Sequence, residues 1–253
     1  MQLNGRQKQE LWANGYVHVP GVVPPLMVEA ALRAINHSVG QGMNVADMGK
    51  FRAQSYCPEV QSTPPITGLL KKTLAWDLAE SVIGAGRIKP PGGGQIALRF
   101  PSLDEPGPAR PHLDGMYTPT NGVPEGTIGN FTMLLGVMLS DVPQPLMGNL
   151  TVWPGTHRLY EQYFREHGPQ SLLQGMPPVE MPDPEPVTGK AGDVVLVHYQ
   201  VAHGVGPNVS PHTRYMVFFR LNHVEHDSLH WECMTDIWRE WEGMRGVVAP
   251  APV

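Results

Sequence analysis

The sequence predicts a mainly β fold with flanking α-helices, a single jelly-roll barrel buttressed by helices at its N-terminal end. Three observations carry this. Apolar residues recur at helical spacing up to about residue 84, then alternate with a period of two from about residue 94. Gly (28) and Pro (27) are spread along the whole chain, which marks turn-rich β structure rather than a disordered tract. A length of 253 residues suits one domain with a sizeable core. The expected division is a single domain over 1–253, with N-terminal helices over about 6–84, a jelly-roll core over about 94–222 and a C-terminal helix over about 229–243.

Residues 6–14 read as a short helix stopped by Gly15, followed by the extended piece Tyr16-Val17-His18-Val19. Pro24-Pro25 opens a second helix, with Val28, Ala31, Leu32 and Ile35 on one stripe. A third spans about 66–83, with Leu70, Leu74, Leu78 and Val82 four apart and Gly84 as its stop. Pro90 to Gly94 is a loop that lacks the Gly-Lys-Ser/Thr ending of a phosphate cradle. Gln95 to Phe100 alternates as a strand. Asn130 to Leu139 is a long strand with Thr132 and Leu134 on one face and Phe131, Met133 and Leu135 on the other. Leu150 to Trp153 is a short strand ended by Pro154-Gly155, residues 157–167 are helical, and 168–192 form a Pro-rich excursion. Asp193 to Tyr199 and Arg214 to Leu221 read as neighbouring strands. The last helix is expected to bury Met234, Ile237, Trp238 and Trp241, a packing face.

A net charge of −5 without a run of Lys or Arg excludes an extended nucleic-acid surface. Two well-separated cysteines, Cys57 and Cys233, match no zinc spacing and fit a reducing compartment. The hydrophobic fraction is 41% and the mean hydropathy −0.21, as in a soluble globular protein. The N-terminal MQLNGRQKQELW has no apolar signal core, no stretch approaches a membrane span, and the terminal Ala-Pro-Val is no targeting tripeptide. The expected location is the cytoplasm, with no membrane partner. Oligomeric state is not legible.

The chemistry is concentrated in His112-Leu113-Asp114, answered 91 residues later by His203 and then by Arg214. Two imidazoles and one carboxylate are the ligands of a facial-triad non-haem iron(II) site, which leaves three positions free for a cosubstrate and dioxygen. Side chains two apart on a strand point the same way, so His112 and Asp114 reach one ion while Leu113 faces away. A His-x-acid dipeptide is common in a chain with 11 His, and His223-Val224-Glu225 and His230-Trp231-Glu232 are decoys. Neither decoy is followed by a His with an Arg about ten residues behind it. Arg214 shares its strand face with Met216, Phe218 and Arg220, so its guanidinium points inward from a mostly apolar wall. A buried arginine requires an anion, either a protein carboxylate or a bound dicarboxylate. The remaining histidines are given structural roles: His157 bracing the Pro-Gly-Thr-His turn, and His198 on the side opposite His203. His226 and His230, four apart, form a weak metal pair with no placed carboxylate.

The chain resembles the phytanoyl-CoA dioxygenase family over most of its length. The likeness runs from Glu10-Leu11-Trp12-Ala13-Asn14-Gly15-Tyr16-Val17 through His112-Leu113-Asp114-Gly115 and Gly148 to His157, the segment GNLTVWPGTH. It continues with Gly192 to His198, His203-Gly204, Asn208 and Arg214. That resemblance implies a double-stranded β-helix of cupin-like shape, Fe(II), 2-oxoglutarate and O2 as cofactors, and hydroxylation of an unactivated carbon with release of succinate and CO2. It implies that His112, Asp114 and His203 hold the metal and that Arg214 binds the distal carboxylate of 2-oxoglutarate. Gln95 and Thr132 lie on strands whose family counterparts flank the cosubstrate, and both have the parity to face inward. The sequence departs from the family at Leu113, where Gln is frequent, at Val205, where a small hydroxyl residue is common, and at Gly136, where Trp is frequent. Asp114 itself argues against halogenation, because related halogenases lack the carboxylate.

Two other readings stay open on the residues alone: a cupin-like metal-dependent isomerase or lyase that needs no 2-oxoglutarate, and a non-catalytic jelly-roll binding module. The segments expected to shape a substrate pocket are Gly115 to Gly129, with Glu125 its one charge, and Met43 to Pro58, with Lys50 and Arg52 its cations. So few cations are thin provision for a coenzyme A thioester. The expected substrate is a free, largely apolar small molecule with at most one carboxylate.

Overall fold

The computed structural model describes residues 1–248; the terminal Ala-Pro-Val and the end of the expected 1–253 domain lie outside them. Helix α1 (Gly5–Asn14) starts at a reciprocal Asn4–Gln7 capping box and stops at Gly15 in the left-handed region. Strand β1 (Tyr16–Val19) leads into α2 (Pro25–Gly40), which begins on proline as expected. Short α3 (Met48–Ala53) follows. The helix expected over about 66–83 is two helices, α4 (Pro64–Lys71) and α5 (Leu74–Ile83). Thr73 makes the break: its hydroxyl donates to the Leu69 carbonyl at 2.7 Å and accepts from Ala75 N at 3.2 Å. Leu74 consequently lies outside the buried stripe, while Leu70, Leu78 and Val82 are buried.

Strands β2 (Ile88–Lys89), β3 (Gln95–Arg99), β4 (Met133–Met138), β7 (Val194–His198) and β9 (Arg214–His223) join β1 in a six-stranded antiparallel sheet ordered β1-β7-β4-β9-β2, with β3 also paired to β9. Between β4 and β7 come β5 (Leu150–Val152), α6 (Thr156–His167) and β6 (Glu185–Pro186). β8 (His203–Val205) completes a three-stranded sheet ordered β6-β5-β8. The expectation that the strands at 193–199 and 214–221 are neighbours is corrected, since β4 lies between β7 and β9 and pairs with both. Their similar apolar patterns reflect equal burial, not adjacency.

Strict alternation divides the large sheet into two faces. Met133, Leu135 and Val137 of β4 pack with Leu11, Ile35, Leu69 and Leu78 of the helices. Leu134 and Met138 of the same strand pack with Leu150 and Val152 of the small sheet and with Tyr160 and Phe164 of α6. The result is a helical layer, a large sheet and a facing small sheet, the expected mainly β jelly-roll of the double-stranded β-helix type with helices on its flank.

The continuous helix expected over about 229–243 does not form. α7 spans only His226–Leu229, and 3-10 turns follow at Glu232–Met234 and Glu242–Met244. Met234, Ile237 and Trp241 are nevertheless buried. A straight helix burying that stripe would carry Glu240 roughly 100° away from it. Here Glu240 is turned inward onto His226 and Thr132 instead. No helix among the described residues is long and apolar enough to cross a membrane.

Candidate metal centre and its arginine wall

His112 and His203 are placed by backbone before any ligand is considered. They form an isolated antiparallel bridge in which His112 N donates to His203 O at 2.9 Å and His203 N to His112 O at 3.1 Å. A pair that exchanges both bonds projects its two side chains to the same side. The Trp153-Pro154-Gly155-Thr156 turn fixes the second partner. Trp153 N donates to Ala202 O at 2.9 Å, and the Thr156 hydroxyl accepts from Ala202 N at 2.9 Å. Asp114 comes at the start of a turn rather than on a strand. Gly115 follows at φ 88°, where a Cβ would meet the Gly129 carbonyl at 2.8 Å, so this turn requires glycine.

The three donors converge, all within 4.8 Å of one another. His112 Nε2 lies 3.4 Å and His203 Nε2 3.8 Å from Asp114 Oδ1. Metal bonds of about 2.1 Å at right angles would set adjacent donors ~3.0 Å apart, so a small contraction closes the triad. His203 Nδ1 lies 3.0 Å from the Val201 carbonyl. A carbonyl only accepts, so Nδ1 carries the hydrogen and Nε2 presents its lone pair to the site. Burial and the His112 charge push His203 down to about 4, which keeps it neutral for ligation. Burial alone would raise the Asp114 pKa. The Arg220 guanidinium, and after it the neighbouring His112 and His203 rings, outweigh it and hold the carboxyl well below the usual range.

Arg220 was legible only as a face-mate of Arg214, yet it organises the site. Its Nε and Nη2 donate to Asp114 Oδ2 at 3.1 and 2.8 Å, and its Nη1 donates to Gln95 Oε1 at 2.7 Å. Asp114 thus spends one oxygen on arginine and turns the other to the histidines. Gln95 is brought to the site as expected. Thr132 is not: the chain bends there, and its hydroxyl donates to Glu240 Oε2 at 2.5 Å and accepts from His223 N at 2.8 Å, while Phe131 takes the inward place. The expected inward parity fails because β4 begins only at Met133.

Arg214 is buried at the opposite end of the same β9 face. Its Nε donates to Gly148 O at 2.6 Å and its Nη1 to Ala97 O at 2.9 Å. None of the ion pairs among the described residues includes it. Of the two anions it was expected to require, the protein carboxylate is missing among these residues. Leu113 is buried. Gly136 faces inward, and a Cβ there would meet Phe218 at 2.8 Å, so a ring from the next strand fills the space a larger residue would take. Val205 is exposed.

The other histidines have structural partners. His157 Nε2 lies 3.2 Å from the Trp12 carbonyl and so braces α1 rather than its own turn. His198 faces the helical layer, with Nε2 2.8 Å from the Ile237 carbonyl. His226 does not pair with His230 but with Glu240 at 2.9 Å, and Cys233 joins them in a second convergent cluster. The two segments expected to shape a substrate pocket touch, through Gln54 Nε2 donating to Thr120 O at 2.7 Å. A surface cleft of about 570 Å³ bordered by Gly21 to Pro25 and Lys72 to Leu74 contains none of the site residues.

The family model for phytanoyl-CoA dioxygenase (PhyH) matches residues 12–216. Several solved structures share the backbone. The non-haem alpha-ketoglutarate-dependent epimerase SnoN from nogalamycin biosynthesis is 22% identical, with 86% of this chain and 82% of that chain covered and a TM-score of 0.53. HygX from Streptomyces hygroscopicus, with nickel and 2-oxoglutarate bound, is 18% identical over 88% of each chain, TM-score 0.58. EctD from S. alaskensis, with 2-oxoglutarate and 5-hydroxyectoine, is 17% identical over 88% of this chain and 77% of that one, TM-score 0.59. No curated protein sequence matches the chain. At these identities the likeness establishes the fold.

Proposed function

This chain belongs to the phytanoyl-CoA dioxygenase family, and from that premise we propose that it is an Fe(II)- and 2-oxoglutarate-dependent oxygenase that hydroxylates an unactivated carbon of a small, largely apolar molecule. The observation that carries the reading is the combination of a convergent His112–Asp114–His203 triad with a buried Arg214 that has no carboxylate among the described residues. The donor set fits a first-row dication: two imidazoles and one carboxylate on one face, with the remaining directions open to the site. Iron(II) bound there with 2-oxoglutarate would supply dioxygen activation coupled to release of succinate and CO2.

The chain's own residues do the rest. His203 is held in the ligating tautomer by the Val201 carbonyl. Arg220 keeps Asp114 ionised and oriented. Arg214 holds the far carboxylate of the cosubstrate with its remaining donors, fixing the distance at which the 2-oxo acid end meets the metal ligands. Phe131, Leu134, Met216 and Phe218 line the wall between and exclude water. The Gly115–Gly129 loop, which follows the metal ligands in sequence, touches the segment around α3, and their few charges support a free, largely apolar substrate over a coenzyme A thioester.

The test is succinate formation from 2-oxoglutarate by the iron-loaded protein, stimulated by candidate substrates. Arg214→Ala should raise the apparent 2-oxoglutarate requirement by roughly 30- to several thousand-fold with metal affinity nearly unchanged, because one side of a buried charge pair is lost. Lys should rescue only in part, since it lacks the planar fork. Turnover without 2-oxoglutarate would favour the cupin-like isomerase or lyase reading. Stimulation by acyl-CoA thioesters alone would overturn the substrate class.

A further inference from the structure

Arg214 does not stand alone at its end of the barrel. Arg99 is its direct cross-strand partner in the β3–β9 pairing. Arg99 lies on the inward parity of β3 with Gln95 and Ala97, because Ile96 and Leu98 pack into the helical core. The two side chains close around Gly148: a Cβ on that residue would meet Arg99 Cγ at 2.8 Å, Arg99 Cβ at 2.9 Å and Arg214 Cβ at 3.3 Å. Like charges directly opposite on a sheet are destabilising. None of the ion pairs among the described residues relieves either one. Burial, and then the Arg99 charge, push the Arg214 pKa down to about 10.

Two arginines on directly paired residues, packed against one glycine and without a carboxylate among the described residues, call for an anion from outside the fold. We propose that Arg99 is the second cation of the distal-carboxylate subsite, so that Arg99 and Arg214 together select a dianionic 2-oxo acid over a monoanionic one. This rests on the 2-oxoglutarate reading above and adds a residue that the triad and Arg214 do not include. Arg214, with two of its donors spent on Gly148 and Ala97 carbonyls, supplies geometry. Arg99 supplies charge.

The experiment uses the full chain loaded anaerobically with Fe(II), titrated with 2-oxoglutarate and separately with 2-oxobutyrate, which has the same chelating end and no distal carboxylate. Binding is read from the visible band of the metal–keto acid chelate, and thermal unfolding is followed with metal-free protein. Arg99→Met should weaken 2-oxoglutarate roughly 10- to 100-fold, the worth of one hydrogen bond to a charged group, and leave 2-oxobutyrate unchanged. Arg99→Lys should fall between. In the metal-free protein Arg99→Met should raise the unfolding temperature, because a repulsion is removed, an outcome a merely structural arginine would reverse. If wild-type protein binds 2-oxoglutarate more tightly than 2-oxobutyrate and both Arg99 variants do the same with unaltered affinity, the role of Arg99 is overturned while the cosubstrate reading stands. If wild-type protein binds the two acids equally or not at all, both fall.

Discussion

The molecule gathers histidine and carboxylate donors in two places, and they differ in what the carboxylate has left to give. At His112, Asp114 and His203, the Asp114 Oδ2 atom is taken by Arg220 while Oδ1 faces both imidazoles. His112 is half-exposed, with 50% of its side chain accessible. At His226, Cys233 and Glu240, both oxygens of Glu240 lie on His226, one also accepts from Thr132, and only 2% of the Glu240 side chain is accessible. The first cluster keeps an unspent lone pair on each member at an opening. The second has consumed its carboxylate internally. Convergence of donor types is therefore a poor guide by itself, and the disposition of lone pairs and the access to them separate a binding site from a fastening.

The sharpest way to break this comparison is to remove one member from each cluster. His203→Ala should abolish both iron binding and succinate formation with little loss of fold, measured by metal analysis, turnover and circular dichroism. Glu240→Ala should instead cost about 3–5 kcal/mol of stability by stranding a buried partner, with one iron per chain retained in the folded protein. Two metals per wild-type chain, or loss of iron from folded Glu240→Ala, would erase the distinction.

A smaller effect is expected one layer out. Arg220→Met leaves the triad in place but frees Asp114 to rotate, and metal affinity should fall roughly 10- to 100-fold, as seen when partners of metal ligands are removed. Competition with a chelator of known affinity would measure it. An unchanged affinity would mean that Asp114 is oriented by its turn alone.

The smallest effect concerns acid sensitivity away from the metal. Burial pushes His198 from 6.5 down to about 4, and burial with the His198 charge lowers His157 as well. A group with a depressed folded-state pKa stabilises the fold above its unfolded value and loses that contribution as protons bind the unfolded chain first. The metal-free protein should therefore lose stability progressively as pH falls from 6.5 to about 4. Chemical denaturation across that window tests it; a flat profile would mean that the two rings are protonated without penalty.

The sequence was most informative where a side-chain pattern and a backbone constraint coincide. The Gly15 stop, the Pro25 start and the β3, β4 and β9 alternation all show in the residues because each is locally determined. The triad was legible because its spacing and order repeat a family pattern. Three things were not. Thr73 ends one helix and starts another within an unbroken apolar period, so the stripe hid the break. Glu240 bends the C-terminal segment through a partner 14 residues away, which no local propensity reports. Arg99 opposes Arg214 only through a strand pairing that periodicity cannot supply. In the first two cases most of the burial was foreseen, Leu74 and Glu240 excepted, and conformation was not, since hydrophobicity specifies what is inside but not how the backbone takes it there.

The reciprocal backbone bonds between His112 and His203 have a consequence for how the chain reaches its native state. They clasp two segments 91 residues apart with amides alone, so closing this loop asks nothing of a metal ion. The ligand cradle is part of the folding problem rather than a reward for solving it. Wherever this pairing has formed, the backbone alone sets the two imidazoles side by side. Pairing between segments so far apart in sequence is intrinsically slow.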